Sequence, residues 1–336
     1  MLEQPFTLIT ASAQEALSGL EDNSIQLTVT SPPYFKQRTY SSGHKGEIGL
    51  ERHLDTYLDH LVEVFTLLKD KTREDGLLFL NLGDTYVGGE LAGVPWRTAL
   101  ALSDAGWILR SDIIWHKPNA MPSAVKNRPT VDHEYIFMLA KSKDYYYNTD
   151  AIREPHVTFT DKSRMKGGRS HFGKRGGTPE QGKNSGSHNL HDGRWDQAFH
   201  PLGRNKRTVW EVPLGKFRGA HFAVFPEKLI EPCIKAGSKE GSLVCDPFSG
   251  AGTTGVSALR HKRRYLGIDV NADYNEMARE RLEKLLAELE RAEEKAAGAG
   301  SGDGAGTEAA GAVPEELEEE EDAGLLGDFT TAMAEA

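Results

Sequence analysis

The amino-acid sequence predicts an α/β fold: a mostly parallel sheet with helices on both faces. Three observations carry that expectation. Apolar runs of strand length alternate with stretches of helical spacing, the pattern of crossover-connected parallel strands. The run Ser242-Leu243-Val244-Cys245 leads into a glycine turn, Asp246-Pro247-Phe248-Ser249-Gly250-Ala251-Gly252-Thr253-Thr254-Gly255, which opens a helical pattern. A second strand-like run, Arg264 to Ile268, ends in Asp269, where doubly wound nucleotide folds place an acid that holds ribose hydroxyls.

In chain order, residues 6–10 (Phe-Thr-Leu-Ile-Thr) read as a short strand and 12–20 as a helix. Ile25 to Thr30 alternates as a strand does and ends in Ser31-Pro32-Pro33-Tyr34. The prolines fix φ twice and hold Ser31 extended, so the Ser31 and Pro32 carbonyls are expected to point outward as rigid acceptors beside the aromatic face of Tyr34. Leu54, Tyr57, Leu58, Leu61, Phe65 and Leu68 recur at helical spacing across residues 53–69. Gly76 to Leu82 is an apolar strand closed by Gly83-Asp84, residues 96–105 form a helix after Pro95, Ser111 to Trp115 a strand, and Glu134 to Ala140 another apolar run. Residues 221–235 deliver the chain into a helix before the glycine turn, and a long helix rich in Glu, Arg, Leu and Ala follows Asp269 over about 272–297.

The turn at 246–255 has chemistry of its own. Gly250 and Gly252 let backbone approach a ligand, Thr253 and Thr254 can cap the next helix, and the helix N-terminus attracts an anion. Asp246, directly before the turn, repels a pyrophosphate and argues against a dinucleotide or ATP. A cofactor with a carboxylate, an ammonium and a ribose satisfies all three features, and S-adenosylmethionine has them.

Composition sets the frame. The 336 residues suffice for a large α/β domain with an insert. No apolar stretch reaches membrane-spanning length and the first residues lack the pattern of a secretion signal, so a soluble, cytoplasmic protein with no membrane partner is expected. Two cysteines, Cys233 and Cys245, make neither a disulfide framework nor a zinc site, and scattered histidines lack ligand spacing; no metal is expected. The net charge of −10 hides a strong asymmetry. Residues 298–336 hold eleven acids and no Lys or Arg, so the rest of the chain stands at +1, and 156–220 holds thirteen Lys and Arg against five Asp and Glu. That basic, glycine-rich stretch is long for a structureless loop and is expected to meet a polyanion, with Arg204, Lys206 and Arg207 as contacts. The tail from Gly298, a glycine-rich spacer and an acidic run, is expected to be disordered.

Thr30-Ser31-Pro32-Pro33-Tyr34 and Asp246 to Thr254 together resemble the two signature motifs of amino-group DNA methyltransferases. Their order, catalytic motif first, resembles the permuted β class. Asn81-Leu82-Gly83-Asp84, Asp112 to Asn119, Lys206 to Trp210 and His221 to Pro226 are similar to further stretches of that family. The resemblance implies a circularly permuted, Rossmann-like S-adenosylmethionine-dependent methyltransferase sheet. It divides the chain into a catalytic part (1–155), an inserted target-recognition region (156–220), a cofactor-binding part (221–297) and the acidic tail (298–336). It implies S-adenosylmethionine held by Phe225, Asp246, Phe248, Gly250, Gly252, Thr253 and Asp269, with Ser31, Pro32, Pro33 and Tyr34 catalytic. Double-stranded DNA is the implied partner, and a cognate restriction endonuclease remains open. Many relatives carry an acid, associated with the cofactor adenine, where this chain has Ser12.

Ser31 with the Pro32 carbonyl can accept hydrogen bonds from either cytosine N4 or adenine N6. The family resemblance favours cytosine N4, because Ser-Pro-Pro-Tyr is more usual among those enzymes. Competing readings are a cytosine-C5 enzyme using Cys233, which precedes the glycine turn where that class needs it to follow, a glutamine-modifying protein methyltransferase, and an inactive DNA-binding module.

Overall fold

Eight strands hydrogen-bond into one sheet whose spatial order bears little relation to their order in the chain. The computed structural model describes residues 4–36, 48–155, 202–215 and 225–299. The elements are β1 (Phe6–Thr10), α1 (Ala13–Ser18), β2 (Ile25–Thr30), α2 (Leu54–Lys71), β3 (Thr72–Leu82), β4 (Tyr86–Val87), β5 (Glu90–Leu91), α3 (Val94–Asp104), β6 (Ile108–His116), β7 (His133–Ala140), β8 (Val209–Glu211), α4 (Glu227–Gly237), β9 (Leu243–Asp246), α5 (Thr253–Arg260), β10 (Arg264–Asp269) and α6 (Ala272–Ala299). The sheet order is β1-β10-β9-β2-β3-β7-β6-β8, with β4 and β5 forming a separate hairpin. A compact unit runs to Arg291; of the second unit, 292–336, only the end of α6 is described.

Strands β1, β10, β9, β2 and β3 are mutually parallel, as the alternation predicts. The run at Glu134 to Ala140 departs from that pattern: β7 lies antiparallel between β3 and β6, and β6 and β8 are again parallel. Side-chain alternation along each strand sorts the core into two layers. Leu78, Leu80, Phe137 and Leu139 face α1, α2 and α3. Leu77, Phe79, Ile136 and Met138 face α4, α5 and α6. Runs buried on both faces are why β2 and β3 read as continuously apolar or small-polar in sequence.

β9 has β10 on one side and β2 on the other, so the chain leaves neighbouring strands in opposite directions at that point. Ligands in open α/β sheets bind in the crevice outside the carboxyl ends of strands at such a switch point. Because β2, β9 and β10 are parallel, the turns after Thr30, Asp246 and Asp269 all open on the same edge.

One reading of the sequence needs adjustment. Residues 202–215 fall within the basic stretch 156–220, yet β8 pairs with β6 and the Glu154–Arg204 bridge ties this segment to the main sheet. Trp115 Nε1 donates to the Val212 carbonyl at 2.7 Å, and the Asn119 side chain brackets Leu214. The rest of that stretch (156–201 and 216–220), residues 221–224 and the tail from residue 300 lie outside the described residues.

Candidate active site

Asp246 sits at the end of β9 with only 2% of its surface exposed. Its carboxylate accepts from Thr30 Oγ1 at 2.6 Å, Thr254 Oγ1 at 2.8 Å and the Phe248 amide at 3.0 Å. Thr254 Oγ1 also lies 3.2 Å from the Val29 carbonyl. One buried acid thus joins the last residue of β2, the first turn of α5 and the glycine turn between them. Burial pushes its carboxyl up to about 6, against the hydrogen bonds from Thr30 and Thr254.

The glycines act differently from one another. Gly250 has φ +49° and its amide donates to Asp269 Oδ2 at 2.8 Å; a Cβ there would meet no atom within 4 Å, so the turn opens on free space at this point. Gly252 has φ +76°, and a Cβ would sit 2.9 Å from Ala278 Cβ in α6. The absence of a side chain here lets the turn pack closely on α6. The expected threonine caps do not form: Gly252 is the N-cap of α5 and no side chain caps it. Thr254 is spent on Asp246, while Thr253 is buried within reach of Arg281. Among the described residues no side chain caps the first amides of α5, which leaves its N-terminus able to receive an anionic group.

Asp269 closes β10. Its carboxylate accepts from the Gly250 and Asn271 amides at 2.8 and 2.9 Å, and burial raises its pKa. Two oxygens offer about four acceptor sites, so capacity for further donors remains. The Phe248 ring packs against the α2 side of the core, 6.4 Å from Phe65, and Phe225 is buried with Leu229 and Ile230 on the opposite side. Ser12 caps α1, accepting from the Glu15 amide at 3.2 Å, while the Ala11 amide bonds the Asp269 carbonyl.

Facing this turn is Ser31-Pro32-Pro33-Tyr34. Tyr57 Oη in α2 donates to the Pro33 carbonyl at 2.9 Å, fixing the proline segment to the core. Ser31 Oγ donates to Tyr34 Oη at 3.2 Å, and Tyr34 Oη donates to Glu134 Oε2 at 2.6 Å. The Tyr34 ring lies on Gly83, where a Cβ would come within 2.8 Å of Cε2.

A family model described as DNA methylase, N6_N4_Mtase, matches residues 25–280. The chain belongs to this family. It is 38% identical over 306 residues to the type II methyltransferase M.Cfr9I of Citrobacter freundii, covering 82% of this chain and 87% of that one. It is 36% identical over 304 residues to M.SmaI of Serratia marcescens, covering 82% and 90%. Among solved structures, the Thermus thermophilus DNA modification methylase TTHA0409 in complex with S-adenosyl-L-methionine superposes with TM-score 0.54 at 25% identity, covering 83% of this chain and 94% of that one. The PvuII cytosine-N4-specific DNA methyltransferase shares the fold, with TM-score 0.58 at 18% identity, covering 84% and 90%.

This DNA methylase is an S-adenosylmethionine-dependent enzyme of the amino-methylating type. The residues present fit that cofactor: an uncapped helix N-terminus for a carboxylate, free space over Gly250, and an acid with spare acceptor sites at the end of β10. Cys233 is fully buried in α4, and burial drives its thiol far above the range in which a thiolate could attack, so a cysteine nucleophile has no place here. Arg204 and Lys206 share the Glu154 carboxylate at 3.2 and 3.1 Å, whereas Arg207 is exposed. All three precede β8 and lie on the amino-terminal side of that strand. No His, Cys, Asp and Glu grouping among the described residues could hold a metal, and no described helix is long and apolar enough to cross a membrane.

Sequence reasoning did not single out Glu134, Lys117 or Asn81 as site residues. The available signal was position: Glu134 begins the apolar run 134–140 and Lys117 follows the strand ending at Trp115. Only the antiparallel course of β7 brings the two together at the Ser31 edge.

Asp246 gives a pH prediction. Its folded pKa, about 6, exceeds the ordinary 3.8, so the folded state holds the proton more tightly and ionisation opposes folding. The carboxyl favours the folded state below about pH 4, and that contribution is lost as pH rises to about 6, a change of roughly 2–3 kcal/mol. Asp246→Asn keeps acceptors for Thr30 and Phe248 and offers a donor to Thr254. Melting temperature measured against pH should fall less between pH 4 and 6 in the variant than in the parent; identical profiles would contradict this reading.

Proposed function

We propose that this enzyme transfers the methyl group of S-adenosylmethionine to cytosine N4 within a specific double-stranded DNA sequence. The observation that carries the reading is the motif Ser31-Pro32-Pro33-Tyr34, which faces the cofactor turn across the β2–β9 switch point and whose leading serine resembles the form more usual among cytosine-N4 enzymes. When bound, the cofactor supplies an electrophilic methyl group on a sulfonium.

The protein's own task is to make the amine a nucleophile. The lone pair of an exocyclic amine is delocalised into the ring, and it localises as the nitrogen turns towards sp³ and gains positive charge. Acceptors aimed at its hydrogens stabilise that change more than they stabilise the ground state. Ser31 Oγ and the Pro32 carbonyl are the proposed acceptors, held in place by the two proline rings and by Tyr57 on Pro33. The target amine lies inside a duplex, so the base must be flipped out, and Tyr34 offers the ring on which it stacks. The Asp269 carboxylate is proposed to take the ribose hydroxyls, and the α5 N-terminus the carboxylate. Asp246 contributes by placing the turn, since its own oxygens are occupied by Thr30, Thr254 and Phe248. Phe225, Phe248, Gly250, Gly252 and Thr253 complete the pocket wall or its support.

DNA affinity is proposed to come from the basic stretch 156–220, with Arg207 the most available of the named contacts because Glu154 already partners Arg204 and Lys206. M.Cfr9I and M.SmaI are named as type II methyltransferases, which supports a cognate restriction endonuclease as a partner in the cell.

Nucleoside mass spectrometry of DNA methylated by the purified protein tests the target atom. N4-methylcytidine is expected; N6-methyladenosine would overturn the base assignment, and 5-methylcytidine the mechanism. Ser31→Ala should lower turnover by about ten- to a thousandfold with cofactor affinity little changed, since an acceptor acting mainly in the transition state contributes roughly 1.5–4 kcal/mol.

Asp269→Ala should weaken cofactor binding by about ten- to a hundredfold, the effect of losing charged hydrogen bonds of roughly 1.5–3 kcal/mol. Calorimetry showing parental affinity would rule out the ribose role. For DNA, about five phosphate contacts give a slope of log affinity against log salt near −4 to −5, and alanine at Arg204, Lys206 and Arg207 should flatten it. A slope unaltered by the triple substitution would remove these residues from the interface.

A further inference from the structure

We propose that Glu134 is a positioning residue that sets the hydrogen-bond polarity of Ser31, making its hydroxyl an acceptor towards the substrate amine. This rests on the amine-methylating role given to Ser31 above and assigns a cause to it.

A serine hydroxyl can donate or accept, and near an NH₂ group only the accepting orientation helps. The structure supplies a chain of groups that decides between them. Glu134 begins β7, with its side chain 14% exposed, and its Oε1 bonds Lys117 Nζ. Lys117 is itself 15% exposed and lies 4.5 Å over the Trp115 ring. An ion-paired carboxylate offers its remaining oxygen only as an acceptor. Asn81 Nδ2 donates to Glu134 Oε2 at 3.1 Å and to the Tyr135 carbonyl at 3.1 Å, which fixes the amide with its oxygen turned to Tyr34 at 3.3 Å. Of the acceptors at Tyr34 Oη among the described residues, the nearer and charged one, Glu134 Oε2 at 2.6 Å, takes its proton.

With that proton committed, the phenolic oxygen receives, and Ser31 Oγ donates to it at 3.2 Å. The lone pairs of Ser31 Oγ are what remains for a substrate. Gly83 maintains the chain sterically, because a Cβ there would press on Tyr34 Cε2 at 2.8 Å and lie 3.4 Å from the Glu134 carboxyl carbon. Each link is oriented by the one before it, beginning at a group that cannot donate.

Glu134→Gln breaks the polarity with little change of shape. Its amide can donate to Tyr34, Tyr34 can then turn its proton towards Ser31, and Ser31 loses the accepting orientation. A double-mutant cycle in single-turnover assays on cognate DNA tests the proposal, together with cofactor affinity by calorimetry. Glu134→Gln and Tyr34→Phe should each slow methyl transfer by about ten- to a hundredfold with cofactor affinity within about twofold of the parent. The two losses should not multiply: in the Tyr34→Phe background, Glu134→Gln should cost less than about threefold more. A loss in that background as large as in the parent would show that Glu134 acts independently of Tyr34 and would overturn the proposal, as would a parental rate for Glu134→Gln alone. If the single variant strands Lys117 and fails to fold, the pair Lys117→Met/Glu134→Gln carries the same cycle. Failure of the function itself is read separately, from unmodified protein that methylates no DNA amine.

Discussion

The arrangement of the site depends on one buried carboxylate. Asp246 takes hydrogen bonds from Thr30, 216 residues earlier in the chain, and from Thr254, eight residues later. The first fixes the residue directly before Ser31 and the second fixes the start of α5. A buried charge is costly unless fully hydrogen-bonded, and here three donors share it. The cost is visible in a carboxyl pushed up to about 6, and the gain is registry between two segments from opposite ends of the chain. Neither a leucine nor a serine at this position could hold β2, the glycine turn and α5 together, because only a carboxylate accepts from three separate directions.

The parallel half of the sheet and the antiparallel strand contribute different things. β2, β9 and β10 end on a common edge, so their following turns meet there whatever their order along the chain. This is why the proposed catalytic motif, early in the chain, and the proposed cofactor motif, late in it, can share one site. β7 runs the other way, so its beginning, and not its end, arrives at that edge. In register, Tyr135 pairs with Leu82 and Glu134 with Trp115, which sets the Glu134 carboxylate beside Tyr34 and Asn81. An acid at the end of β7 would have been carried to the opposite edge.

Much of this was legible in the residues. The alternation of strand and helix, the two proline- and glycine-rich turns and the acid closing β10 all follow from local rules, because strand ends in a parallel sheet are where turns and function coincide. What stayed hidden was long-range. Periodicity cannot tell a parallel strand from an antiparallel one, so β7 read as another apolar run. The three residues of β8 are too few to show a period at all. The packing of Gly252 on Ala278, 26 residues along the chain, has no local signal, and the hydroxyls of Thr253 and Thr254 were drawn from capping by Arg281 and Asp246. The charge of Arg204 and Lys206 was plain in sequence, while their shared partner Glu154 depended on a bridge between segments fifty residues apart.

The serine at position 31 and the acid at position 134 make sense together. An aspartate in place of Ser31 would be an acceptor by its own chemistry and would need no instruction from its neighbours. A serine is ambiguous, and a turn as rigid as Ser31-Pro32-Pro33 fixes where the oxygen is without fixing where its proton points. The missing information has to come from a group that cannot donate, through intermediates that can pass the direction on. Tyr34 is suited to this because a tyrosine hydroxyl carries one proton and can also accept, and Phe at the same position would stack a base equally well yet transmit nothing. On the role proposed for Ser31, that single requirement accounts for the hydroxyl of Tyr34, its seat on Gly83 and the ion pair of Glu134 with Lys117.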